Sequence, residues 1–217
     1  VLSADGIAFD AVTKTERVPI RVNIPGGFMV YNTLDVLGAA LALGISLKDS
    51  AAVLAKVPHV QGRVEVVPTP GKDYTILIDY AHTPDSMVNV LQTVKEFAKG
   101  RTVAVFGCGG DRDKTKRPRM GKAAADWSDF AVVTTDNPRT EEPAAIIRDI
   151  LPGFDGSNTP YEVVEDRVEA IRWAMDHAQK DDVIVLCGKG HETYQEVNHQ
   201  KFHMDEREIV AEHLAGK

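Results

Sequence analysis

Residues 75–85 read TILIDYAHTPD, and this stretch decides the fold. Ile76, Leu77 and Ile78 follow one another with no polar residue between them, so the strand predicted over Thr75–Tyr80 has no face for water. Thr83 and Pro84 then supply a cap and a first-turn proline, which predicts a helix. Met87, Val90, Leu91, Val94 and Phe97 give that helix one apolar face. The same alternation repeats downstream. Short β-branched runs predict strands at Thr102–Phe106, Phe130–Thr134, Tyr161–Val164 and Val183–Leu186. Helical patterns lie between them, from about Lys116 to Trp127, Glu142 to Leu151 and Arg167 to Gln179. Alternating apolar strands and helices imply an α/β fold with a doubly wound, mainly parallel sheet. The tail predicts a short hairpin over Tyr194–His203 and a last helix capped by Asp205.

Upstream of this block the pattern differs. Arg17–Ile24 alternates like an exposed strand and stops at Pro25-Gly26-Gly27. Phe28, Tyr31, Leu34, Leu37 and Leu41 keep helical spacing up to Gly44, and Ser46 caps a second helix with Asp49 at its third position, closed by Pro58. One strand and two helices bury too little to stand as a domain. The start carries neither an initiator Met nor a basic signal-peptide region, which suggests an excised piece. The chain has 217 residues, 43% hydrophobic and 26% charged, an ordinary globular composition. Its formal charge of −7 argues against a nucleic-acid binder, which needs a cationic face. Cys108 and Cys187 form neither a disulfide framework nor a metal spacing, and read as small buried residues at strand ends. No apolar run reaches membrane length. A reducing cytoplasm is the default expectation.

Ligands of such sheets sit at the carboxyl ends of the strands. After the first strand, Asp79 and His82 stand just before a helix N-terminus, a place suited to a nucleotide's hydroxyls or phosphates, although taken alone a plain capping turn is the readier account. The second strand leads to Gly107-Cys108-Gly109-Gly110-Asp111-Arg112-Asp113-Lys114. Here glycines let backbone amides approach a ligand, yet Arg112 stands where a dinucleotide fingerprint needs its third glycine. Arg112, Lys114, Lys116, Arg117, Arg119 and Lys122 then cluster in an otherwise acidic chain, either as an anion site or as a solvated helix end. The third strand runs into Asp136-Asn137-Pro138-Arg139, a rigid loop with donors for a carboxylate. The fifth ends in Gly188-Lys189-Gly190-His191-Glu192, an acid beside a cation. No GxxxxGK[ST] occurs, so the chain has no triphosphate loop of its own.

Taken together these loops resemble the Mur ligases. The resemblance is continuous from about Phe28 to Leu214 and rests on Gly62-Arg63 with Glu65, Asp79–Pro84, Gly107–Pro118, Asp136–Arg139 with Glu141-Glu142-Pro143, and Gly188–Glu192. It implies that residues 1–60 end a central ATP-binding domain and 61–217 form a Rossmann-like C-terminal domain. It also implies an ATP- and Mg2+-dependent ligase adding meso-diaminopimelate to UDP-N-acetylmuramoyl-L-alanyl-D-glutamate through an acyl phosphate, without nucleic-acid or membrane partners. Both ATP and metal would be bound mainly by the absent part of the central domain. On this resemblance Asn32, Arg63, Asp79 and His82 are nucleotide contacts. Met29 departs from the family's asparagine at that place. Arg112, Asp136, Asn137, Pro138, Arg139, Gly188 and Glu192 would hold the diaminopimelate, as a lid without a catalytic base. The readings set against this are a folylpolyglutamate synthetase-like ligase and a non-catalytic Rossmann-like binding module.

Overall fold

A computed structural model describes residues 2, 3, 6–57 and 60–216. The chain divides into two compact units, Val1–Val60 and Gln61–Lys217. In the first, strands β1 (Leu2–Ser3), β2 (Gly6–Val12) and β3 (Arg17–Val22) form an antiparallel sheet with β2 in the middle. Its register runs from Ile7 opposite Val22 to Val12 opposite Arg17. Helices α1 (Phe28–Ala42) and α2 (Leu47–Leu54) follow, and the Ser46 hydroxyl accepts from the Asp49 amide at 3.1 Å as a cap. The Pro58 stop lies outside the described residues.

Two expectations for this unit need correction. Strand β2 was not anticipated, because GIAFDAV mixes small residues into its alternation. The stripe Phe28–Tyr31–Leu34–Leu37–Leu41 does mark a helix, yet of its members only Leu37 is buried, and Tyr31 is 73% exposed. The core here is Ile7, Ala11, Val18, Ile20, Val22, Ile24, Leu37 and Leu47. A small sheet can cover only one narrow side of a helix that is apolar on several.

The second unit holds a six-stranded sheet of β4 (Glu65–Val67), β5 (Thr75–Asp79), β6 (Thr102–Phe106), β7 (Phe130–Val133), β8 (Tyr161–Val163) and β9 (Val183–Cys187). Their order is β4-β5-β9-β6-β7-β8, all parallel except the edge strand β4. Sequence reading missed β4, three residues held between Gly62 and Pro68. Helices α3 (Pro84–Lys95), α4 (Lys116–Trp127) and α5 (Pro143–Ile150) cover one face; α6 (Arg167–Asp176) and α7 (Glu206–Leu214) cover the other. Side chains alternate accordingly: Leu77, Ala104, Phe106, Val133 and Val185 face the first layer, while Ile76, Ile78, Val105, Val132 and Ile184 face the second. Thr83 caps α3, its hydroxyl accepting from the Ser86 amide at 3.2 Å. Strands β10 (Tyr194–Val197) and β11 (Gln200–His203) form the expected hairpin. Among the described residues no helix is long and apolar enough to cross a membrane.

One ion pair closes the second layer. Arg167 and Glu206, at the starts of α6 and α7, are both fully buried, and Glu206 Oε1 accepts from Arg167 Nε at 2.9 Å and Nη2 at 2.7 Å. Arg167 Nη2 also donates to the Cys187 carbonyl at 2.8 Å, which ties both helices to the end of β9. Removing one partner strands a buried charge. Glu206→Ala should therefore cost about 3–5 kcal/mol in urea unfolding, whereas Arg167→Met/Glu206→Leu should recover most of that loss. Fluorescence is a suitable readout, since Trp127 and Trp173 both lie in this unit.

Candidate functional site

The chain runs outward from β5 through β6 and β7 to β8, then returns to place β9 between β5 and β6. The loop after β9 leads towards the α6/α7 face, whereas those after β5 and β6 lead into helices on the opposite face. Their divergence opens a crevice above the sheet's carboxyl edge. A cleft of about 320 Å3 lies there, lined by residues of four loops, from Tyr80 to Thr83, Gly107 to Lys116, Asp136 to Arg139 and Gly188 to Glu192.

The loop after β6 lies against the loop after β7. A Cβ on Gly110 would stand 1.9 Å from the Pro138 carbonyl oxygen, so only glycine permits this approach. The Gly110 amide donates to the Asn137 carbonyl at 2.9 Å, and the Asp111 carboxylate accepts from the Thr140 hydroxyl at 2.8 Å. Beneath them the buried Arg117 guanidinium binds Glu141 through both terminal nitrogens, at 3.0 and 2.8 Å, and Asp149 at 2.8 Å. With Arg117, the Asp111 amide and Lys114 all on it, the Glu141 carboxyl is held down to about 2. The cationic cluster is thus divided. Arg117 and Lys114 lock the loops, Lys122 pairs with Asp126 within its helix, and only Arg112 and Lys116 line the cleft. A signal for Glu141 existed in its Glu-Glu-Pro run, but nothing in the sequence pointed to its partner.

Of the residues assigned to the amino-acid substrate, Arg112, Asp136, Asn137, Arg139, Gly188 and Glu192 all line this one cleft. Pro138 does not; it lines a separate depression with Gln195 and Arg167. Gly188 has φ 113°, and a Cβ there would stand 2.6 Å from Asp136 Oδ2. Arg139 has φ 52°, and its Nη1 donates to the Gly110 carbonyl at 2.9 Å while Nε faces Glu196 Oε2 at 3.2 Å. Nη1 also reaches the Asn137 carbonyl at 3.5 Å, and Nη2 has no hydrogen-bond acceptor among the described residues. Glu196 lies on hairpin strand β10, which also receives the Arg139 amide at its carbonyl, 3.0 Å away. No motif pointed to Glu196. Lys189, noted only as a cation beside an acid, is fully buried, with its ammonium on Asn137 Oδ1 at 2.7 Å and Glu192 Oε2 at 3.0 Å.

The residues assigned to the nucleotide separate. His82 lines the cleft, its Nδ1 donating to the Tyr80 carbonyl at 2.8 Å, a contact that fixes the tautomer because a carbonyl only accepts. Arg63 is exposed and lies over the Tyr80 ring, 5.1 Å from its centroid. Asp79 does not line the cleft. Its two oxygens accept from the Val64 and Ala81 amides at 2.9 and 2.8 Å, so it braces Val64 in a left-handed conformation (φ 43°). Burial pushes its carboxyl pKa up against those two bonds. Asn32 is an exposed residue of the first unit, its amide 3.6 Å from the Met29 sulfur. Both cysteines are free and buried, and burial raises their thiols, Cys108 to about 12. Among the described residues no group of three or more His, Cys, Asp or Glu side chains could hold a metal ion.

A family model described as Mur ligase, glutamate ligase domain matches residues 62–190. The UDP-N-acetylmuramoyl-L-alanyl-D-glutamate--2,6-diaminopimelate ligase of Clostridium botulinum is 50% identical over 208 residues, which are 95% of this chain and 43% of that protein. Its namesake in Bacillus cereus is 46% identical over 217 residues, all of this chain and 44% of the relative. A solved ligase of the same name superposes with a TM-score of 0.72 at 36% identity, over 99% of this chain and 44% of that one. A folylpolyglutamate synthase from Thermotoga maritima shares the fold, with a TM-score of 0.65 at 20% identity, over 87% of this chain and 42% of its own. The chain therefore spans less than half the length of these relatives.

The Glu141 pairing carries a pH signature. Its pKa lies below the ordinary 4.5, so the pairing stabilises the fold above about pH 4.5 and is lost as the pH falls towards 2. Glu141→Gln should lower stability near neutral pH, and that difference from the parent should shrink on acidification through this window. Denaturant unfolding at a series of pH values measures it; a pH-independent difference would contradict the assignment.

Proposed function

The chain belongs to the Mur ligase family, and from that membership we propose that it is the C-terminal part of a longer ATP-dependent ligase that adds meso-diaminopimelate to UDP-N-acetylmuramoyl-L-alanyl-D-glutamate. Residues 1–60 are then the end of the central ATP-binding domain and 61–217 the C-terminal domain, working in the cytoplasm. The observation carrying this reading is the meeting of Arg139, Asp136, Asn137, Gly188 and Glu192 in one cleft. Diaminopimelate bears an ammonium and a carboxylate at each end. Arg139, held at Nη1 by the Gly110 carbonyl and at Nε by Glu196, offers its Nη2 to the far carboxylate in a charge-assisted hydrogen bond. The carboxylates of Asp136 and Glu192 suit the ammonium beside it.

The reaction forms an amide. The substrate's near amine attacks the precursor's acyl phosphate, the new C–N bond replaces the C–O bond to phosphate, and the amine's proton is given up. The chain's own residues hold and orient the amine's carrier, which is how positioning lowers such a barrier. ATP, when bound, supplies the activating phosphoryl group. His82 and the cation of Lys116 form a polar wall suited to its anionic end, and Arg63 adds an exposed cation over Tyr80. No triphosphate loop and no metal ligand set is contributed by these residues, so the chain alone should release no phosphate from ATP. Magnesium-dependent phosphate release by the purified chain would contradict the domain assignment.

Substrate choice turns on Arg139. A charge-assisted bond contributes roughly 1.5–3 kcal/mol, and lysine as substrate would leave Arg139 Nη2 desolvated without an acceptor. In the full-length ligase, Arg139→Ala should raise KM for diaminopimelate on the order of a hundredfold while changing KM for ATP less than about twofold. Arg139→Lys keeps the charge but loses the fork and should also weaken binding. Steady-state kinetics with both amino acids decide it: a mutant that still prefers diaminopimelate over lysine to the parent's degree sinks this reading.

A further inference from the structure

Lys189 is fully buried and is absent from the lining of the cleft. Gly188 and Gly190 on either side have φ 113° and 53°, so the chain turns sharply at both and carries the lysine side chain inward. Its Nζ lies 5.2 Å from the Tyr194 ring centroid and donates to Asn137 Oδ1 and Glu192 Oε2. A buried ammonium needs such acceptors. Here both belong to residues that face the cleft.

This arrangement dictates how the cleft residues point. An asparagine amide has one accepting end and one donating end, and a half-turn exchanges them. At Asn137 Oδ1 stand the Lys189 ammonium and the Glu196 amide, at 2.7 and 2.8 Å, and neither can accept. The other end must then be Nδ2, which donates to Glu192 Oε2 at 3.0 Å. Two donors, Asn137 Nδ2 and Lys189 Nζ, thus hold one oxygen of Glu192. Its second oxygen accepts no hydrogen bond among the described residues. A group that fills volume alone would impose no such orientation.

We propose that Lys189 is a positioning residue for the amino-acid substrate: without touching it, the buried ammonium sets the amide of Asn137 and turns one oxygen of Glu192 to receive the substrate's ammonium. This rests on the reading of the cleft as an amino-acid site. The test has two parts. The first needs no substrate. In NMR spectra of this chain, the Asn137 side-chain amide protons should exchange slowly with water, and Lys189→Met should shift them and speed their exchange. Fast exchange in the parent, or an unaltered amide in Lys189→Met, overturns the proposal.

The second part is a kinetic cycle in the full-length ligase with Lys189→Met, Glu192→Gln and the double variant. Lys189→Met should raise KM for diaminopimelate roughly ten- to a hundredfold, with KM for ATP unchanged within about twofold. In the Glu192→Gln background the same substitution should add less than about twofold, because its route to the substrate is already cut. Equal losses in both backgrounds, or a parallel rise in KM for ATP, mean a general structural role and overturn it. A parent ligase that takes no diaminopimelate would instead defeat the substrate reading, while the NMR result still decides whether Lys189 sets Asn137. Should Lys189→Met fail to fold, fast exchange of the Asn137 amide in the parent chain would still overturn the proposal.

Discussion

Strand β9 bears the constraint on which the second unit depends. It is the last strand of the sheet in sequence and a central one in space, paired with β5 on one side and β6 on the other. All five of its residues are buried. Both edges and both faces must therefore be satisfied by protein, and the strands that pair with it lie far back in the chain, Val183 standing opposite Thr75 on one side and Thr102 on the other. Once β9 is seated, its loop leaves over the middle of the sheet and towards the face opposite to that of its neighbours' helices. A crevice at that point follows from connectivity before any side chain is chosen.

Its walls are then made rigid by buried charge. Arg117, Arg167 and Lys189 are all fully buried, and each has carboxylate partners. Each also sits at the carboxyl edge of the sheet, joining segments far apart in sequence: the β6 loop to the β7 loop, α6 to α7 and β9, and the β9 loop to the β7 loop. Removing such groups from water costs free energy that hydrophobic replacements would not incur. What the pairs supply is direction. A guanidinium or ammonium with acceptors fixed on two sides holds its loop in a defined conformation, and loops that line a cleft need that definition more than they need added stability.

The first unit shows the opposite balance. Its small antiparallel sheet buries Leu37 and Leu47, while Tyr31, Leu34, Val36 and Leu43 remain exposed along or just beyond α1. A helix apolar on several sides belongs in a larger core than these strands provide. That mismatch is consistent with the proposed standing of residues 1–60 as the end of a domain.

By itself the sequence determined the parallel α/β unit, because consecutive apolar residues such as Ile76–Ile78 can be satisfied only inside a covered sheet, and caps such as Thr83 and Asp205 mark helix starts locally. It also marked the loops that meet in the cleft, since glycine, proline and paired charges after a strand are visible one segment at a time. Strands β2 and β4 escaped because weak or short alternation carries little signal. Only the tertiary structure decided which polar residues face the ligand space and which brace the frame. Asp79 turned inward to the Val64 and Ala81 amides, Arg117 to Glu141, and Lys189 to Asn137, while Glu196 reached Arg139 from a hairpin that no motif singled out. The physical reason is that a charged side chain's role depends on its partner and its burial, and both are set by segments tens of residues away.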